Sequence, residues 1–323
     1  MPALPRTVAL LAALALAAGP LPAQADSAAP RPLERTLARQ LQRQLDSVAA
    51  AGPGVVGVVV QDLSTGERFA VNDSLSFPQA SAIKVAILLE LLRQADAGAL
   101  SLADRIDVRT AQQVGGSGVL GHFADGGSAL SLHDLAVLMI VLSDNTATNL
   151  LIERVGMPSV NRTLDGLGLS EIRLRRPMIR PAESARGNEN VASPRAAASL
   201  MARLGRCELP LSRRACDEMR RILELPKNGT IGDAIPGGVP VAWKPGTLDG
   251  VSTAWALVRV RGRPFAIAAM VTFGGPRAND VVRGVAALSY AHFAALASST
   301  PYGVRVPERV LAPVDSLGVR RPR

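Results

Sequence analysis

One stretch limits what this chain can fold into more than any other: residues 80–92, Ala80-Ser81-Ala82-Ile83-Lys84-Val85-Ala86-Ile87-Leu88-Leu89-Glu90-Leu91-Leu92. It is apolar nearly all round, the pattern of a helix buried inside a domain rather than laid on its surface. Phe77-Pro78-Gln79 introduces it, as suits a helix entry. Residues three apart share one helical face, so Ser81 and Lys84 are expected side by side at the amino end. Unpaired N–H groups and the positive end of the helix dipole meet there. A hydroxyl beside an amine, with main-chain donors aimed at the same point, is an activated nucleophile.

Ser-x-x-Lys alone is weak evidence, because one chance match is expected in a chain of 323 residues. Lysine usage strengthens it. Of 36 Lys plus Arg, only Lys84, Lys227 and Lys244 are lysine. A guanidinium keeps its proton at every biological pH, whereas a buried amine can lose it and act as a base. Lys84 and Lys244 are therefore the positions to examine.

With 48% hydrophobic residues, the length suffices for one large domain or two smaller ones. Arg6, the apolar run 7–18 and Ala23-Gln24-Ala25 before Asp26 form a secretory signal with a small-x-small cleavage site. The expected mature protein starts near Asp26, carries no lipid-accepting Cys there and has no span for a bilayer, so it is periplasmic or secreted. Export puts Cys207 and Cys216 in an oxidising compartment where they can close a short loop, although spacing alone does not decide it. His122, His133 and His292 lie too far apart in sequence to suggest zinc, and no metal or cofactor is expected. The net charge of +9 invites a nucleic-acid reading. Export, 3% aromatic residues and the lack of any recognition motif argue instead for a solvated basic surface.

In chain order, residues 26–32 read as a spacer and 33–50 as an amphipathic helix, stopped by Gly52-Pro53-Gly54. Residues 55–63 and 68–71 read as a hairpin turning at Ser64-Thr65-Gly66. From 77 to about 235 the pattern is helical. Ser131-Leu132-His133-Asp134 supplies a cap with an acid three residues on. Residues 173–194 read as one long surface loop, a class of segment that is often functional. Strands follow at 239–243, 252–260 and 264–273, then an amphipathic helix at 278–296. The predicted architecture is α/β (α+β): an antiparallel sheet from both ends of the chain (33–74 and 236–297), flanked by the terminal helices, with an all-helical insert at 75–235. Residues 298–323 are Pro- and Arg-rich and predicted to be disordered.

Two more motifs follow the first: Ser143-Asp144-Asn145 at a break between helices, and Lys244-Pro245-Gly246-Thr247 at a strand end. Each alone is ordinary turn or strand chemistry. The three in this order, in these contexts, resemble the penicillin-recognising serine hydrolases, most closely the class A β-lactamases. The resemblance covers roughly residues 33–296. It implies that Ser81 is the acylated nucleophile, Lys84 its proton acceptor and Ser143 the relay to the leaving nitrogen. It further implies that Asn145 and the Lys244-x-Gly246-Thr247 strand hold the substrate. The Ser81 and Thr247 N–H groups would form the oxyanion hole. The substrate implied is a β-lactam or a cell-wall peptide, bound by a monomer without a cofactor.

The chain departs from that family twice. Pro245 stands where the third motif usually has a hydroxyl, which an edge strand facing the cleft would tolerate. The loop then places Met178 where class A enzymes have the Glu that activates the deacylating water. Asn190 falls where the family has an acid that pairs with an Arg. The nearest acids, Glu183 and Glu189, read first as solvated loop carboxylates, and Glu183 is the candidate that could reach the site. Three activities stay open on these residues: turnover of β-lactams, an acylated protein that holds on to its penicillin, and a D-Ala peptidase or esterase. Beside them stands an exported domain with no chemistry.

Overall fold

A computed structural model describes residues 32–125, 127–311, 314, 318 and 319. The expected signal segment and most of the spacer lie outside the described residues. The elements run α1 (Pro32–Ala51), β1 (Val55–Asp62), β2 (Arg68–Val71), β3 (Phe77–Pro78), a 3-10 turn (Ala80–Ile83), α2 (Lys84–Asp96), β4 (Arg105–Asp107) and β5 (Ala129–Ser131). After these come α3 (Leu132–Val141), α4 (Asn145–Val155), α5 (Met157–Gly166), α6 (Pro181–Ala185), β6 (Val191–Ala192), α7 (Pro194–Arg206), α8 (Arg213–Glu224) and α9 (Thr230–Ala234). The chain then returns through β7 (Val241–Leu248), β8 (Val251–Val258), β9 (Phe265–Thr272) and α10 (Ala278–Ala297).

The five-stranded antiparallel sheet has the order β2-β1-β9-β8-β7, so strands from both ends of the chain pair in its middle. Val58 opposite Ala269 and Ala254 opposite Ala269 fix the register. The inner strands are buried on both faces, which is why β8 and β9 read as nearly unbroken apolar runs. One face packs against α1 and α10 through Leu41, Leu45, Val282, Val285 and Phe293. The other packs against the helical region, whose centre is α2 with Ile87, Leu88, Leu89 and Leu91 fully buried.

Glu90 is the polar exception within α2, and its carboxylate is anchored rather than solvated. It accepts from Arg93 Nη2 at 2.7 Å, Gln94 Nε2 at 2.7 Å and Thr163 Oγ1 at 2.6 Å, which ties α2 to α5. Burial alone would push that carboxyl up, but those hydrogen bonds outweigh it and hold it below the usual range.

Some boundaries differ from the sequence reading. The Ser81 segment opens as a 3-10 turn, and α2 begins only at Lys84. The third motif lies inside β7 rather than at its end, because β7 continues to Leu248 as the edge strand. The long loop contains the short helix α6 and the β6 pairing with β3. The tail is not disordered as expected up to residue 311: Ser299 bridges Arg305, and Val306 N–H donates to Ser298 O at 2.8 Å. Among the described residues no helix is long and apolar enough to cross a membrane.

Cys207 and Cys216 are bonded, which joins the left-handed C-cap of α7 to the buried face of α8. The loop is short, with a separation of nine residues. The chain-entropy cost it removes from the unfolded state is therefore about 2–3 kcal/mol. Replacing both cysteines by serine is expected to lower the thermal midpoint by several degrees, as is adding reductant. Unfolding followed by circular dichroism checks this, and an unchanged midpoint would show the bridge to be dispensable.

Candidate active site

Three segments that are far apart in sequence meet between the sheet edge and the helical region. The first is the 3-10 turn. Lys84 follows it as the C-cap, its backbone N–H donating to Ser81 O, so the two residues belong to one turn. Ser81 lines the cleft, while Lys84 is fully buried below it. Ala80, just before Ser81, sits at φ 46°, a left-handed conformation costly for a residue with a Cβ.

Buried Gln79 holds this strained turn in place. Its side chain donates to Phe77 O at 2.9 Å and accepts from Trp255 Nε1 at 2.8 Å. Its carbonyl accepts from Thr253 Oγ1 at 3.0 Å, and its N–H donates to Asn190 O at 2.8 Å. The turn is thus tied to β8 and to the far end of the long loop.

The second segment is the break between α3 and α4. Ser143 sits at φ 55°, which turns its carbonyl and hydroxyl towards Lys84. Asp144 does not face the cleft. It caps α4 through the Ala147 N–H at 2.8 Å and holds the N–H groups of Val119 and Leu120 at 2.7 and 2.8 Å. Gly118, at φ 112°, lies so close that a Cβ there would come within 2.2 Å of the Asp144 carboxylate. Asn145 donates to Gly115 O at 3.1 Å and presents its carbonyl to Lys84.

The third segment is β7. Lys244 is buried and donates to Ser143 Oγ at 3.1 Å and Pro245 O at 3.0 Å. β7 is the edge strand, as the sequence reading required for Pro245, since alternate N–H groups of an edge strand face away from the sheet. Gly246 lets β7 pass against the turn. A Cβ there would lie 2.4 Å from Gln79 O and 2.7 Å from Ala82 N, both backbone atoms that have no room to move. Thr247, the next residue, lines the cleft together with Ser81, as oxyanion-hole donors must.

The surroundings of Lys84 lower its basicity. Nζ is 2.7 Å from Ser143 O, 3.0 Å from Asn145 Oδ1 and 3.1 Å from Ser143 Oγ. Three oxygen acceptors match the three N–H donors of the ammonium form, so it is burial that disfavours the charge here. Burial lowers this amine from 10.5 to about 7, against the opposing pull of Asp144. Burial also pushes Lys244 well below the lysine range, and the positive charges of Lys84 and Lys227 add to it.

The third lysine, Lys227, serves the same strand from behind. It donates to Leu223 O and Leu225 O at 2.7 Å each, lies 5.3 Å from the Trp243 ring centroid, and is lowered to about 8 chiefly by burial. The sequence reading identified its rarity but assigned it no place. Gln79 and Asn149 were missed, because single amides in mixed apolar segments leave no periodic signal.

The cleft is a cavity of about 360 Å³ that runs from Ser81 under the long loop. Met178 lines it, pinned on both sides by Asn149, which accepts from the Met178 N–H at 2.7 Å and donates to its carbonyl at 3.2 Å. Glu183 is not part of the site, contrary to the sequence expectation. It lies on α6, pointing outward, paired with Arg186 and accepting from Asn188 Nδ2 at 2.9 Å. The carboxylate that lines the cleft is Glu189, which pairs with Arg176 at 2.6 Å and accepts from Ser184 Oγ. Asn190 accepts the N–H groups of Arg175 and Arg176 at 2.7 and 3.0 Å, so the loop's acid–guanidinium pair has moved one residue upstream.

Comparison with known proteins agrees with this geometry. The model of the β-lactamase enzyme family matches residues 39–293. A β-lactamase from Sphaerobacter thermophilus superposes with a TM-score of 0.71 at 31% identity, over 78% of this chain and 95% of that one. PBP-A, solved as a mutant in an acyl-enzyme complex with penicillin G, gives a TM-score of 0.72 at 28% identity, over 79% and 96%. Among curated sequences, the β-lactamase CARB-4 of Pseudomonas aeruginosa is 30% identical over 139 residues, 43% of this chain. The chain spans about half of that relative, 48% of its length.

Two outcomes test the geometry. Gly246→Ala is expected to force β7 off the 3-10 turn and slow acylation of Ser81 by about 100-fold, the scale of losing one oxyanion donor, with the far-UV spectrum retained. Acylation should rise with pH through about 7 as Lys84 sheds its proton. Lys84→Arg should abolish it at every pH, because a guanidinium cannot become the base. Single-turnover rates followed by intact mass measure both.

Proposed function

The chain belongs to the β-lactamase enzyme family, and from that premise we propose that it is an exported serine hydrolase acylated at Ser81 by β-lactams. The observation that carries this reading is Ser143 Oγ, which stands 3.1 Å from both Lys84 Nζ and Lys244 Nζ beside the cleft. Ser81 Oγ attacks the lactam carbonyl and its proton passes to the neutral Lys84 amine. The C–N bond of the ring breaks, and Ser143 delivers a proton to the departing nitrogen, replenished from Lys84. Lys244 draws the substrate's ring carboxylate, which restores the charge that burial weakens on this lysine. The N–H groups of Ser81 and Thr247 receive the developing oxyanion. Asn145 presents its amide to the acylamino group. The segment 1–25, with its charged start, apolar run and small-x-small site, supports export to the periplasm or medium.

Release of the acyl group is the slower half of this cycle. Met178 occupies the loop position beside Ser81, and among the described residues the cleft's one carboxylate, Glu189, is neutralised by Arg176. A water at the ester therefore lacks a free carboxylate base, and hydrolysis of the acyl-enzyme depends on Lys84. The same observation favours a second reading, a penicillin-binding protein that stays acylated.

Nitrocefin turnover paired with intact-mass measurement separates the two readings. The expected result is a Ser81 adduct that accumulates and then decays slowly. Ser81→Ala should show neither adduct nor turnover, and activity in that variant would overturn the site. Met178→Glu should speed decay of the adduct by about 100-fold, the low end of what a positioned general base contributes.

A further inference from the structure

We propose that Arg180 makes the loop side of the cleft a carboxylate receptor, so that this site prefers β-lactams whose acyl side chain carries a negative charge. The inference rests on the function proposed above and adds the substrate class. The cavity next to Ser81 is walled by Met178, Ile179, Arg180, Pro181 and Ser184, whereas Lys244 and Ser143 do not line it. A β-lactam whose ring carboxylate is drawn to Lys244 therefore leaves its acyl substituent to this cavity.

The charges in that wall do not cancel. Arg176, with its side chain only 10% exposed, is matched by Glu189 at 2.6 Å. The other oxygen of Glu189 accepts from Ser184, so both of its oxygens are engaged away from Arg180. Glu183, the nearby acid on α6, is taken by Arg186 and Asn188. The Arg180 guanidinium makes no ion pair or hydrogen bond with any described residue, which leaves one uncompensated cation on the cavity wall.

Its placement is set by the chain rather than left to a floppy loop. Met178 is clamped by Asn149 through both backbone groups. Ile179 turns at φ 54°, and Pro181 fixes the first residue of α6. Arg180 is the one residue between these constraints. Its planar fork suits a carboxylate, and because it is exposed the pair it forms is screened by water and salt.

The test compares two penicillins that differ by one carboxylate, carbenicillin and benzylpenicillin, acylating the full-length protein in single turnover with intact-mass detection. Relative to wild type, Arg180→Gln should lower the carbenicillin-to-benzylpenicillin rate ratio about fivefold, or ~1 kcal/mol. Arg180→Glu should lower it further, and Arg180→Lys should largely retain it. Raising the salt from about 20 mM to about 0.5 M should shrink the wild-type ratio towards that of Arg180→Gln. A ratio that is the same in wild type and Arg180→Glu overturns the proposal while leaving acylation at Ser81 intact. Absence of any adduct with either penicillin overturns the functional reading and this one with it.

Discussion

A single serine oxygen holds the site together. Ser143 Oγ lies 3.1 Å from each of two buried lysine nitrogens, Lys84 and Lys244, that are far apart in the sequence. Two ammonium groups at such separation repel by on the order of 3 kcal/mol in a protein-like medium, and burial penalises each further. Burial brings Lys84 down to about 7, and burial together with the Lys84 charge pushes Lys244 well below the lysine range. An arriving carboxylate reverses that imbalance at Lys244. In the proposed reaction, substrate binding at Lys244 and proton transfer at Lys84 meet at this one hydroxyl.

Such an arrangement persists only if the surrounding structure enforces it. Among the described residues, three of the six non-glycine residues with positive φ, Ala80, Ser143 and Ile179, border this cleft. Each left-handed residue costs on the order of 1–3 kcal/mol. The restraints that offset this are polar side chains, two of them buried: Gln79 under the 3-10 turn and Asp144 under Ser143, with half-buried Asn149 beside Met178. None of the three touches the space a substrate would fill, yet each fixes a group that does.

The long loop shows how far residue type alone can be read. Matching its ends placed Met178 at the wall beside Ser81, and there it lies. The same matching favoured Glu183 as the acid that reaches the cleft. Glu183 instead points out from α6, while Glu189 lines the cavity. The difference comes from the turn at Ile179 and the backbone bonds of Asn190, which decide the facing of each following residue. No spacing rule encodes them.

The sequence by itself determined the elements and the motifs: apolar periodicity defines α2 and the inner strands, Ser131 signals a cap that it makes to Asp134 N–H at 3.0 Å, and rare lysines mark positions where arginine fails. These are local properties, carried by residues within a few positions of each other. Only the tertiary structure decided that Lys84 and Lys244 share one hydroxyl, that Gly246 is required by the backbone of a turn 164 residues away (246 − 82), and that Arg180 is left without a counterion. The reason is physical: distance, burial and charge balance belong to groups that become neighbours only when the chain closes on itself.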